Sequence, residues 1–108
     1  MSYKVKFVPK FKKELKRLSK KFPLLKSDFS LLLKSLKEEP SQGISLGNDC
    51  YKIRMVISSK GKGKSGGARV ITCFKIVHGI VYLLTIFDKS EQENIADKEL
   101  KELLKFID

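Results

Sequence analysis

The sequence has no long apolar run, since no stretch of about 18 apolar residues, the length of a membrane-spanning helix, occurs in it. Its first residues, from Met1 to Lys6, lead into no apolar segment of the kind found in secretory signals. These two absences predict a cytoplasmic protein that neither spans a membrane nor carries a secretory signal.

Residues that bind metals or form disulfide frameworks are also scarce. The two cysteines, Cys50 and Cys73, have no metal-ligand spacing and lie inside apolar stretches, which predicts small buried thiols in a reduced protein. The single histidine, His78, stands beside Gly79 in a predicted turn, with no partner cluster for a metal and no companions for a nucleophile triad. We therefore expect no metal site.

What the sequence does have is positive charge, with 23 lysines and arginines against 12 acidic residues and a net charge of +11. Residues 1–40 contain 12 basic and 4 acidic side chains, residues 41–89 contain 8 and 2, and residues 90–108 contain 3 and 6. Lysines and arginines that meet phosphates release counterions, so the excess favours a polyanionic partner. The alternative is a basic surface that serves solubility alone.

A chain of 108 residues, 42% of them hydrophobic, is long enough for one domain with one core, spanning residues 1–108. Alternating apolar residues predict a strand over residues 3–7. Helical spacing predicts one helix between Pro9 and Pro23 and a second that begins near residue 24 or 26 and ends near Glu38.

Beyond Pro40 the hydrophobic pattern changes from helical to strand-like. Ile44 and Leu46 form a short apolar pair. Three strands are then predicted, over residues 51–57, 68–77 and 80–87. The last is nearly continuously apolar, which is typical of a central strand.

A C-terminal helix carries Leu100 and Leu103, with Ser90 and Glu93 as a candidate capping box and Asp97 as a second candidate N-cap. The resulting order is β-α-α-β-β-β-α. It predicts an α+β fold, a small antiparallel sheet with the two N-terminal helices packed on one face and a C-terminal helix.

The loop over residues 58–67 alternates glycine with three lysines, Lys60, Lys62 and Lys64. A G-x-G-x-x-G match at residues 61–66 invites a nucleotide interpretation, but that fingerprint needs a helix directly afterwards, and residues 69–74 predict a strand. The context therefore argues against a nucleotide site. Two interpretations remain, a solvated hairpin tip and a flexible basic finger whose lysines contact phosphates.

Lys52 and Arg54 share one face of their predicted strand, and Arg69 begins the next strand. If the two strands form a hairpin, these cations and the loop lysines converge on one side of the sheet. The alternative is that Lys52 and Arg54 simply face water on the unburied side.

Several segments resemble the RelE/ParE toxin superfamily across essentially the whole chain. They are Asp-Cys-Tyr-Lys-Ile-Arg at residues 49–54, Gly-Ala-Arg-Val-Ile at 67–71, Val-Tyr-Leu-Leu at 81–84 and Asp-Lys-Ser-Glu at 88–91. The stretch Lys-Gly-Lys-Ser-Gly-Gly-Ala-Arg at 62–69 is most similar to the HigB-like, RelE-type branch.

This resemblance implies the toxin of a bacterial type II toxin–antitoxin system, which enters the ribosomal A site and cleaves mRNA without a metal or other cofactor. The implied partners are a cognate antitoxin, ribosomal RNA and mRNA, with no membrane and no small-molecule cofactor. The implied reaction is attack of a ribose 2′-OH on the adjacent phosphate, which leaves a cyclic phosphate and a 5′-hydroxyl end.

By position, the resemblance makes Lys52, Arg54 and Arg69 the catalytic residues. Lys52 would assist proton transfer, and Arg54 with Arg69 would hold the scissile phosphate, for which a planar guanidinium suits two oxygens. Four lysines are expected to contact RNA phosphates: Lys60, Lys62, Lys64 and Lys89.

The chain departs from RelE near Ser90 and Ala96, where RelE has an arginine and a tyrosine. The general base is therefore open, and the candidates by nearness are Lys62, Lys64, Lys89 and Glu91. The departure also keeps two alternative functions, a ParE-like inhibitor of DNA gyrase that cleaves nothing and a basic module that binds RNA or DNA.

Overall fold

The computed structural model describes residues 3–61 and 63–107. Its helices are α1 (Pro9–Lys21), α2 (Leu25–Glu38) and α3 (Asp97–Leu104), and its strands are β1 (Lys4–Phe7), β2 (Ile44–Gly47), β3 (Cys50–Met55), β4 (Ala68–Lys75) and β5 (Ile80–Asp88). The predicted α+β class is confirmed. The order gains one strand, because the apolar pair at residues 44 and 46 forms β2.

The five strands form one sheet in the order β1-β5-β4-β3-β2. The pairs β2–β3, β3–β4 and β4–β5 are antiparallel, but β1 runs parallel to β5, with Val5 opposite Val81. The sheet is therefore mixed, and the prediction of an antiparallel sheet was wrong for this one pair. No hairpin turn sets the direction of β1, because two helices follow it and its partner comes much later in the chain.

The two sheet faces have separate cores. On the first face, the fully buried Phe11, Leu18 and Leu25 of α1 and α2 pack over Ile53 and Val70 of the sheet. The two N-terminal helices thus lie on one face, as predicted. On the second face, Leu100 and Leu103 of α3 pack in one cluster with three sheet residues, Ile71, Cys73 and Leu84.

The second face is only partly covered, because α3 has 8 residues and at ~1.5 Å per residue is much shorter than the sheet is wide. Cys50 of β3 lies buried in the core beneath α3, opposite Cys73 of β4, which confirms the prediction of buried thiols. Lys52 and Arg54 follow Cys50 on the same face at alternate positions. They therefore lie beyond the part that α3 protects.

The residues at the helix ends agree only partly with prediction. Pro9 is the first residue of α1, and the helix ends before Pro23. The capping box at Ser90 and Glu93 was wrong, because α3 begins at Asp97 with Ala96 as its N-cap. A strand that ends at Asp88 needs several residues to turn onto the second face, and these form a separate connecting segment.

In the part of the chain that the structure describes, no helix is long and apolar enough to cross a membrane.

Candidate functional site

The β3–β4 hairpin places two arginines directly opposite each other, since Arg54 pairs with Arg69 in the ladder. Lys52, two residues before Arg54, adds a third cation on the same face. Like charges at directly opposed strand positions are destabilising. Packing alone does not favour such a pair, which makes it a candidate for a functional role.

These three cations line a pocket of about 360 Å³. Its walls are formed by Lys52, Arg54, Arg69, Lys89, Glu93 and Asn94. Four of these six residues are cations, so an anion is the ligand that the pocket suits. The structure thus brings together the three predicted catalytic residues and one of the four predicted RNA contacts.

Arg69 is nearly buried, at 3% exposure, and its guanidinium is oriented by neutral oxygens. It donates hydrogen bonds at 3.1 Å to the carbonyl oxygens of Lys64, Ala68 and Ser65. Burial and then the charge of Arg54 lower the pKa of Arg69. Since carbonyl groups carry no net charge, they fix the guanidinium without neutralising it, and two of its five N–H groups have no hydrogen-bond partner among the described residues.

Arg54, in contrast, is exposed and has no side-chain hydrogen bond or ion pair among residues 3–61 and 63–107. It also lines a second groove, of about 380 Å³, together with Lys52 and Lys64. Lys64 therefore adds a further cation beside Arg54 in this second groove. The two grooves together offer an anionic chain positions for more than one phosphate.

Lys89 enters the pocket from the end of β5. Its backbone N–H donates to the carbonyl oxygen of Gly67 at 3.0 Å, which ties the segment after β5 to the start of β4. Gly67 is required here, because a Cβ at that position would lie 2.2 Å from the carbonyl oxygen of Met55. The close approach of Gly67 to β3, together with its bond to Lys89, thus fixes where the chain leaves β5.

The connecting segment over residues 89–96 is held by its own side chains. The Asn94 carboxamide oxygen accepts the backbone N–H of Ile95 at 2.9 Å and lies 3.5 Å from Lys52 Nζ. Gln92 Nε2 donates to the Asn94 carbonyl oxygen at 2.9 Å, and Ile95 is buried in the core beneath α3. These contacts hold the connecting segment, which forms one wall of the pocket, in a defined position.

Lys60 is absent from the pocket lining and has a different partner. Its Nζ lies 2.6 Å from Asp88 Oδ1 and also donates to Gly66 O and Ser90 Oγ, and the two charged side chains are only 13% and 1% exposed. Burial raises the pKa of Asp88, but the hydrogen bonds from Lys60 and Ser90 outweigh it, so the pKa is lowered overall. Lys60 thus lies in a buried ion pair.

Two further candidates by nearness in sequence are Lys62 and Glu91. Lys62 lies outside the described residues. Glu91 bonds to Arg17 at 3.1 Å and lies 3.8 Å from Lys21, on the α1 side of the connecting segment. The Arg17 hydrogen bond holds the pKa of Glu91 below its usual range. Glu91 is therefore held away from the cationic pocket.

Two pocket residues, Glu93 and Asn94, were not identified as site residues from sequence. The sequence pattern predicts a helix cap at Glu93, and its true position depends on how the chain turns after β5. One sequence signal could have identified both residues. Lys89 lies at the end of a predicted strand, and acidic and amide residues follow it within a few positions. Loops at strand ends commonly carry binding residues.

The glycine-rich loop behaves as its sequence context predicts. Two short 3₁₀ turns, Ser58–Lys60 and Lys64–Gly66, lead directly into strand β4 rather than into a helix. Among residues 58–61 and 63–75 no α-helix begins, so these residues offer no α-helix N-terminus to a nucleotide phosphate. Within the described ranges there is also no cluster of three residues that could hold a metal ion.

A larger groove, of about 640 Å³, lies on the first face beside α1. Phe7, Leu15 and Pro23 give it an apolar floor, and lysines form its rim. It offers no converging set of polar groups around a reacting atom. The smaller cationic pocket is therefore the candidate for chemistry.

Fold and site together define a small basic α+β protein with a cationic pocket at one end of its sheet. The family model for the RelE toxin of the RelE/RelB toxin–antitoxin system matches residues 8–107. The chain belongs to this family of toxins.

Solved structures give the same fold. A mutant of the E. coli toxin RelE in the free state is similar with a TM-score of 0.66 and 20% identity over 99% of each chain. A RelBE toxin–antitoxin complex from Mycobacterium tuberculosis gives 0.58 at 16% identity, over 82% of this chain and 92% of that chain. The intact E. coli RelBE complex gives 0.51 at 24% identity, over 81% and 96%.

Proposed function

We propose that this protein, as one toxin domain over residues 1–108, cleaves mRNA in the ribosomal A site and is held inactive by a cognate antitoxin. The observation that carries the proposal is the cross-strand pair of Arg54 and Arg69. Neither guanidinium has an acidic partner within 4.0 Å among the described residues, so both charges are available to a phosphate.

The proposed reaction is attack of a ribose 2′-OH on the adjacent phosphorus. Arg54 and Arg69 hold the phosphate oxygens and stabilise the negative charge that develops on them in the transition state, an effect that supplies much of the rate acceleration of many enzymes. Lys52 lies beside them and gives a proton to the departing 5′ oxygen. The products are a cyclic phosphate and a 5′-hydroxyl end.

The remaining cations support binding of the RNA chain. Lys89 lines the pocket, and Lys64 lines the adjoining groove. Contacts of this kind position a nucleic acid without reading its sequence. Ribosomal RNA is the further polyanion that the net charge of +11 suits.

The test is cleavage of a defined mRNA on programmed ribosomes by purified protein. We expect cuts in the A-site codon, loss of cleavage when the attacking nucleotide is 2′-deoxy, and a fall of roughly 100-fold or more for Arg54→Ala. Lys101→Ala, which removes one exposed charge on α3, is the matched control and should cleave normally.

Intact mRNA with wild-type protein would contradict the proposal. If the same protein then inhibited supercoiling by DNA gyrase, the ParE-like alternative would replace it. Steeply salt-dependent binding to naked RNA or DNA, without product, would favour the basic binding module instead.

A further inference from the structure

We propose that Glu93 is the general base that takes the proton from the attacking 2′-OH, an inference that rests on the cleavage reaction proposed above. Glu93 is the carboxylate in the lining of the cationic pocket, where it stands among Lys52, Arg54, Arg69 and Lys89. The scissile phosphate and a proton acceptor would thus meet in one pocket.

The neighbours of Glu93 are committed to other contacts. Ser90 bonds to Asp88, Glu91 to Arg17, and the Asn94 carboxamide to the backbone of Ile95. Glu93 has no side-chain hydrogen bond or ion pair with any residue that the structure describes. Its carboxylate is therefore free to accept a proton from a ligand.

The backbone on either side of Glu93 is nevertheless held by hydrogen bonds. Gln92 bonds to the Asn94 carbonyl oxygen, and the Asn94 carboxamide lies 3.5 Å from Lys52 Nζ on β3. These contacts hold the connecting segment across the open end of the sheet. The backbone that carries Glu93 is therefore held at the pocket, and its exposed side chain can turn toward the 2′-OH of a bound RNA.

The chemistry also favours a carboxylate over the cations around it. Lysine and arginine are protonated near neutral pH and cannot accept a proton in that form, whereas a glutamate is ionised. Glu91, the other acidic candidate, is held by Arg17 and Lys21 on the α1 side.

The pocket and the RNA together supply every group that gives or takes a proton in this reaction. A Glu93 carboxylate oxygen takes the 2′-OH proton while the 2′ oxygen forms its bond to phosphorus. The bond between phosphorus and the 5′ oxygen breaks, the electron pair leaves with that oxygen, and Lys52 protonates it. Glu93 ends protonated and Lys52 neutral, and exchange with solvent restores both.

The experiment measures single-turnover cleavage on programmed ribosomes with increasing toxin. Glu93→Gln keeps shape but cannot accept the proton, so we expect the maximal rate to fall by roughly 100-fold or more, while the half-saturating toxin concentration stays within about threefold. Glu93→Asp should recover part of the rate. Glu102→Gln, an exposed glutamate on α3, is the matched control and should cleave like wild type.

A substrate with a sulfur in place of the bridging 5′ oxygen separates base from acid, because a thiolate leaves without protonation. The Glu93→Gln defect should persist with this substrate. Rescue would make Glu93 the proton donor and overturn the inference, as would a Glu93→Gln rate within about threefold of wild type. Failure of the wild-type protein to cleave would instead overturn the proposed function, and the role of Glu93 with it.

Discussion

Two clusters of charged residues, the cationic pocket and the Lys60–Asp88 ion pair, use positive charge in opposite ways. In the cationic pocket, Arg54 is exposed, faces Arg69 across the ladder and has no acidic partner among the described residues. In the second cluster, Lys60 is buried against Asp88 and Ser90. The partner of each cation therefore decides whether its charge is available to a ligand.

The two clusters also have opposite energetics. The Lys60–Asp88 pair is neutral as a unit, and removing one member would leave a buried charge without compensation. The Arg54–Arg69 pair is repulsive until an anion occupies the pocket. The Lys60–Asp88 pair therefore stabilises the fold, whereas the Arg54–Arg69 pair becomes favourable only when an anion is bound.

The largest expected effect is that of Lys60→Ala on stability. It leaves Asp88, which is 1% exposed, without its cation, and should lower the free energy of unfolding by about 3 to 5 kcal/mol. Denaturant unfolding measures this change. The double variant Lys60→Met/Asp88→Asn should recover most of the loss. A double variant as unstable as the single one would show that packing, not charge, is responsible.

Arg69→Ala should affect both cleavage and stability, because Arg69 belongs to the pocket and also bonds to the carbonyl oxygens of the loop. We expect cleavage to fall by roughly 100-fold and stability by about 1 to 3 kcal/mol. Cleavage and denaturant unfolding are measured on one preparation. Arg54 makes no such hydrogen bonds among the described residues. Arg54→Ala should therefore lose cleavage while its stability stays unchanged or rises slightly. Equal destabilisation by both variants would erase the distinction between them.

The pH dependence of stability should report Asp88. Its pKa is lower in the folded state than in the unfolded chain, so its contribution is present above the unfolded value of about 3.9 and is lost as the pH falls through the folded value. When unfolding is measured at successively lower pH, the free energy of unfolding should therefore fall more steeply for wild type than for Asp88→Asn. Identical slopes would mean that the Lys60 pair does not stabilise the ionised form.

The smallest expected effect comes from the exposed lysines of α1. Under the proposed function Lys16 is one of many contacts to ribosomal phosphates, so in Lys16→Ala ribosome binding should weaken by only about twofold and its salt dependence should become slightly less steep. A binding titration at several salt concentrations measures both. If Lys16→Ala weakened ribosome binding as much as Arg54→Ala, the helical face rather than the cationic pocket would be the main binding surface.

Most of the fold follows from local patterns in the sequence. Pro9 and Pro23 bound α1 as predicted, and the nearly continuous apolar run from Ile80 forms an interior strand. The parallel pairing of β1 with β5 was missed, because local patterns determine a strand but not its distant partner. The wrong capping box at Ser90 has a local cause, since its hydroxyl bonds to Asp88, two residues earlier, and α3 begins only at Asp97.

The site could be predicted only where residues are related by a hairpin. The alternation of Lys52 and Arg54 and the position of Arg69 across the loop are sufficient to bring those three together. The burial of Lys60 could not be predicted, because Asp88 lies 28 residues away and meets it only in the folded chain. Glu93 was missed for the same reason, since the path of the connecting segment depends on how α3 packs.

The most direct test of the difference between the two clusters is stabilisation by a phosphate ligand. The melting temperature is measured with and without a short 2′-deoxy-substituted RNA for wild type, for Arg54→Ala and for Lys60→Met/Asp88→Asn. We predict an increase for wild type and for the double variant, and little or none for Arg54→Ala. An equal increase for Arg54→Ala would contradict the assignment of the cationic pocket, because the phosphates would then bind elsewhere.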